Sequence, residues 1–89
     1  MDVRQTIGWN VKRLRVARGL SQERLALEAN IDRSYVGRVE RGLENVTVST
    51  LEALSNAMNV HVSVLFEQID AKAERPAALR SGRKPKTGL

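Results

Sequence analysis

With 89 residues the chain holds one small domain, near the lower limit at which an apolar core stabilises itself unaided. It has no cysteine, which excludes a disulfide framework and a thiolate metal site, and its one histidine makes a poor ligand set. The formal net charge of +5 suits an anionic partner.

Val3, Ile7, Val11 and Leu14 recur at helical spacing, with Arg4, Lys12, Arg13 and Arg18 largely off that stripe, and Gly19 ends this first helix. Trp9 falls at the fringe of the stripe, where half-buried packing is expected. Ser21 is placed to cap a second helix from about Gln22 to Ala29, with Leu20 and Leu25 forming a hydrophobic staple across its start. Asn30 follows, and asparagine enters the left-handed region readily enough for a tight turn. Asp32 repeats the capping arrangement for a third helix, Arg33–Arg41, stapled by Ile31 and Val36 and stopped by Gly42.

After the polar "LENVT", Thr47 caps a fourth helix in which Val48, Leu51, Leu54 and Met58 keep helical spacing, and Asn59 turns the chain at its end. The segment "VHVSVLFEQI" fits two periods. Val60, Val62, Val64 and Phe66 alternate as a strand would, while Val62, Leu65, Phe66 and Ile69 suit a helix, and a short helix with His61 near its cap is the favoured reading. From about Asp70 the apolar pattern fades, so residues 1–69 are expected to form the domain and residues 70–89 a flexible basic tail.

Two short helices joined by a turn of three or four residues make a helix-turn-helix, whose second helix enters the major groove of DNA. At about 100° per residue, Arg33, Ser34, Gly37, Arg38 and Arg41 share one face of the third helix, and Val36 and Val39 lie opposite. Glycine inside a helix costs roughly 1 kcal/mol relative to alanine, so Gly37 answers a need other than helix stability. In the middle of this face it lets the backbone approach a duplex. Arg33 and Arg38 are long enough to reach base edges, and a bidentate arginine to guanine is the commonest specific contact. Arg41 could contact phosphate or only cap carbonyls. Tyr35 could reach a phosphate or a thymine methyl, or pack partly in the core. Exposed helix decoration is the plain alternative for these cations. The charge along the chain is polarised, however: nine cations face five carboxylates in residues 1–43, none face three in residues 44–69, and six face two in residues 70–89.

The ordered blocks "LRVARGLSQERLA", "DRSYVGRVERG" and "TVSTLEALSNAMNV" together resemble the Cro and phage-repressor type of helix-turn-helix, the xenobiotic-response-element (XRE) family, from Ile7 to Phe66. "NIDRSYVGRVERG" with "NVT" after it is similar to the controller proteins of restriction-modification systems. The resemblance implies an all-α, five-helix, lambda-repressor-like domain that binds a palindromic operator as a homodimer and regulates transcription without a cofactor. It further implies that Gln22 contacts a phosphate and braces the reading helix, that Arg33, Ser34 and Arg38 read bases, and that Asn45 and Thr47 touch the DNA backbone. It pairs Glu40, at the edge of the buried side, with Arg15 as a structural ion pair. The chain departs from the usual pattern in carrying Asn30 where glycine is common and Val46 where many relatives have proline.

Catalysis would need a nucleophile with a base, paired carboxylates or a metal cluster, and the composition offers almost none of these, so no enzyme is expected. No apolar run approaches the ~20 residues of a membrane span, and Met1 leads into a charged "MDVRQ", so a soluble cytoplasmic protein without membrane or small-molecule partner is expected. "VSVLFEQI" has more large apolar residues than one short helix buries in so small a core, which makes Val64, Phe66 and Ile69 the expected dimer interface. An antitoxin-like or other protein-interaction module on the same fold is the alternative. The tail is either a solubilising end or a phosphate-contacting segment.

Overall fold

A computed structural model of the chain describes residues 2–69, and the basic tail at residues 70–89 lies outside them. Four α-helices, α1 (Val3–Ala17), α2 (Gln22–Ala29), α3 (Arg33–Glu40) and α4 (Val48–Ala57), precede a 3-10 helix at Val62–Phe66. The described residues contain no strand and are all-α, as the spacing predicts.

Side-chain caps start the helices where amide hydrogens lack partners. Asp2 accepts from the Gln5 amide at 3.0 Å while Gln5 Oε1 accepts from the Asp2 amide at 2.9 Å, a capping box that the sequence reading did not anticipate. That Gln5 amide holds the Asp2 carboxyl below its ordinary pKa. Ser21 and Thr47 accept from the amides of Arg24 and Thr50 at 2.9 and 3.1 Å, and His61 Nδ1 accepts from the Ser63 amide at 3.1 Å.

All four α-helices end alike. Leu20, Ile31, Leu43 and Val60 each donate an amide to the carbonyl five residues back (Arg15, Ala26, Arg38 and Ser55) at 2.9–3.0 Å. Such a reversal needs a left-handed residue just before the donor. Gly19, Asn30, Gly42 and Asn59 supply it with φ of 70°, 60°, 76° and 57°. Three of the four donors, Leu20, Ile31 and Val60, then tuck their side chains against the core, whereas Leu43 stays exposed.

The core is built from Ile7, Val11 and Leu14 of α1, Leu25 of α2, Val36 and Val39 of α3, Leu51, Leu54 and Met58 around α4, and Leu65. α1 packs on α3 and on the 3-10 helix, while α2 packs on α3 and α4. α3 is thus held from behind by two helices and keeps its other face outward.

Two polar or small residues of α1 set these contacts. A Cβ on Gly8 would lie 2.3 Å from the Val39 carbonyl oxygen and 2.7 Å from that of Glu40, so only glycine lets α1 approach the last turn of α3 this closely. Asn10 is buried and donates to the carbonyls of Leu65 and Glu67, both at 3.0 Å, while its Oδ1 accepts from Arg13.

Four details differ from the sequence reading. The fifth helix is a 3-10 turn that ends at Phe66, so Ile69 lies beyond it. Asn10 takes the carbonyls that a continuing helix would use, and Glu67 turns extended with ψ 138°. Val3 and Val48, counted on apolar stripes, are 61% and 81% exposed because the first turns of α1 and α4 project past the core. α3 stops at Glu40, with Arg41 as its C-cap. Asp32 occupies the N-cap in extended conformation but caps no amide, since its carboxylate takes the Ser34 hydroxyl at 2.5 Å, a stronger charge-assisted bond.

Candidate nucleic-acid interface

α2, the three-residue turn Asn30–Asp32 and α3 form a helix-turn-helix. Val36 and Val39 anchor α3 in the core, and its outward face carries Arg33, Ser34, Gly37, Arg38 and, at the C-cap, Arg41. Arg33, Ser34 and Arg41 are exposed, and Gly37 and Arg38 are half-buried. A Cβ on Gly37 would meet only Gln22 side-chain atoms at 3.8–3.9 Å, an ordinary contact. The interior therefore does not require glycine there.

The back of this surface is held by a buried ion pair. Arg15 Nε and Nη2 donate to the two Glu40 oxygens at 2.6 and 3.1 Å, with side chains only 12% and 4% exposed. Arg15 Nη1 also donates to the Leu20 carbonyl at 2.8 Å, and Gln22 Nε2 donates to Glu40 Oε1 at 3.0 Å. The network joins α1, the turn before α2, α2 and α3. Gln22 lies at the first position of α2, so its contact with Glu40 fixes it beside Gly37.

Arg38 is not a loose cation. Its Nε donates to Glu44 Oε2 at 2.5 Å, and its guanidinium carbon stands 5.7 Å from the centroid of the half-buried Tyr35 ring, which itself packs on the core. The hydrogen bond to Glu44 raises the Arg38 guanidinium above its ordinary pKa. Ser34 has its hydroxyl committed to Asp32. Asn45 is exposed in the loop after α3, and Thr47 serves as the α4 N-cap, its hydroxyl also bonded to Thr50 Oγ1 at 3.0 Å.

Val64 packs partly against the core, Phe66 is 46% exposed and Ile69 is half-buried. Phe66 therefore stands open beside the segment that Asn10 pins. The described residues hold no cluster of metal-ligating side chains, and no described helix is long and apolar enough to cross a membrane.

Sequence reasoning missed Gly8, Asn10 and Glu44. Asn10 lies three residues after Ile7 and one before Val11, a polar residue in phase with the apolar stripe. Gly8 sits in a helix interior with no turn to explain it, which signals a close helix crossing. Glu44 gave no signal, because only the reversal at Gly42 brings it to Arg38.

This fold and surface define a helix-turn-helix protein of the XRE type. The chain matches the helix-turn-helix family HTH_3 over residues 11–65 and belongs to that family of transcriptional regulators. It is 40% identical over 75 residues to control protein C.SmaI of Serratia marcescens, covering 84% of this chain and 89% of that protein. Among solved structures it resembles the restriction-modification controller protein C.AhdI of Aeromonas hydrophila, with 43% identity and a TM-score of 0.69 over 71% of this chain and 96% of that one. It also resembles controller protein C.Esp1396I, solved as a tetramer in complex with its natural 35 base-pair operator, with 30% identity and a TM-score of 0.68 over 74% of this chain and 87% of that one.

Proposed function

We propose that the chain is a sequence-specific regulator of transcription that binds a palindromic operator as a homodimer, with α3 in the major groove. The observation that carries this reading is the outward face of α3, where cations surround a glycine that the protein interior does not require. Arg33 and Arg38 read base edges, and Ser34 accepts a hydrogen bond with the oxygen whose proton is given to Asp32. Gly37 admits the helix backbone to the groove. Gln22 donates one amide hydrogen to Glu40 and keeps the other for a phosphate, while Asn45, Thr47 and Arg41 contact the DNA backbone. Tyr35 supports Arg38 from beneath.

The second copy binds through Val64, Phe66 and Ile69, because a phenylalanine 46% exposed at the end of a small core has apolar surface left to bury. A dyad there sets two reading helices about one DNA turn apart, roughly 34 Å. Purified protein is expected to enrich a palindrome from a random duplex pool, and Phe66→Asp to be a monomer by light scattering. A Phe66→Asp protein that remains dimeric places the interface elsewhere. A pool without enrichment removes the regulator reading.

A further inference from the structure

The pairing of Arg38 with Glu44 goes beyond the reading above, which requires only a long cation on the outward face. We propose that Glu44 is a positioning residue that fixes which edge of the Arg38 guanidinium meets a base, and so sets base selectivity. The inference rests on α3 being the reading helix.

Glu44 occupies the Nε edge of Arg38 at 2.5 Å, and the Tyr35 ring lies against the guanidinium at 5.7 Å. The terminal amines of Arg38 have no hydrogen-bond partner among the described residues. Guanine presents O6 and N7 as neighbouring acceptors that match two parallel N–H groups. With Nε taken, the end formed by the two terminal amines is the edge left to make that match. The Arg38 side chain is 42% exposed and stands on the outward face of α3, the side from which a duplex would approach.

The placement of Glu44 is built into the helix end. Gly42, at φ 76°, reverses the chain, and the next amide, of Leu43, bonds to the Arg38 carbonyl at 3.0 Å. Residues 43 and 44 thus hold the backbone and the side chain of the same arginine. An arginine restrained in this way has already lost much of the rotamer freedom that a free side chain surrenders on binding. A carboxylate beside a DNA-facing surface also repels phosphate, so Glu44 lowers affinity for every duplex while sharpening choice among them.

The test uses the duplex that the wild-type protein enriches from a random pool, together with all its single base-pair variants. Arg38→Ala first identifies the base pair that Arg38 reads. Glu44→Ala is expected to reduce discrimination at that pair roughly five- to tenfold and to raise binding to an unrelated duplex. Glu44→Gln, which keeps an acceptor for Nε, is expected to retain discrimination while showing the same rise in nonspecific binding. In the Arg38→Ala background Glu44→Ala should not change selectivity further. If Arg38→Ala loses a preference that Glu44→Ala keeps, Glu44 acts only through charge, and the inference falls while the reading helix stands. Loss at a different base pair means that Glu44 reads a base itself, which also overturns the inference. If Arg38→Ala keeps every preference, base reading by Arg38 fails and the role of Glu44 fails with it.

Discussion

Glu40→Ala is expected to lose ~3–5 kcal/mol of stability, a large share of the ~5–15 kcal/mol that holds a domain together. The variant strands Arg15, whose side chain is only 12% exposed beside Glu40, without the carboxylate that accepts two of its hydrogen bonds. It also frees Gln22 and loosens α3 from α1 and α2 together. The loss comes from the stranded charge more than from the pair itself, because taking two ions out of water already costs most of what their attraction returns. Replacing both partners with apolar residues, as in Arg15→Met with Glu40→Leu, should therefore recover much of the stability. Thermal unfolding followed by circular dichroism measures both effects. A Glu40→Ala protein with unchanged melting temperature and weakened DNA binding would move Glu40 from scaffold to interface.

Gly8→Ala is expected to destabilise by ~1–3 kcal/mol even though alanine is the better helix former by about 1 kcal/mol. The added methyl meets the carbonyl oxygens of Val39 and Glu40 at 2.3 and 2.7 Å, and backbone at a helix end cannot swing aside as a side chain tip can. α1 must move off α3, which stretches the nearby Arg15–Glu40 bonds, so the effects of Gly8→Ala and Glu40→Ala should not be additive. Chemical denaturation of the two single variants and the double variant reads the coupling. An increase in stability for Gly8→Ala would show that the crossing has room to relax.

Much of the fold was legible because helix ends are local chemistry. Gly19, Asn30, Gly42 and Asn59 were readable as turn residues, and each is left-handed in the structure. Ser21 and Thr47 were readable as caps for the same reason. The all-α class and the helix-turn-helix followed from those boundaries and from apolar spacing. Stripe membership was a weaker guide at helix starts, where Val3 and Val48 keep the period but extend beyond anything to pack against.

What remained hidden depends on how distant segments meet. Asp32 has the right residue type and backbone for a cap, yet Ser34 two residues later competes for its carboxylate. The end of the last helix is decided by Asn10, more than fifty residues earlier, through the carbonyls of Leu65 and Glu67. For the candidate site, the outward set of Arg33, Ser34, Gly37, Arg38 and Arg41 was visible from helical period alone. The pairing of Arg15 with Glu40 needed the family resemblance, and the geometry gives it at 2.6 Å. The engagement of Arg38 by Glu44 required the three-dimensional course of the Gly42 turn.

If the outward face of α3 chooses the DNA sequence, base preference must change in Arg33→Ala and Arg38→Ala. Binding of each variant to the wild-type duplex and to its single base-pair substitutions should show a loss of ~1–3 kcal/mol, with preference relaxed at a distinct base pair for each arginine and kept elsewhere. Uniformly weaker binding with every wild-type preference intact would make both arginines phosphate contacts and leave the choice of sequence to another surface.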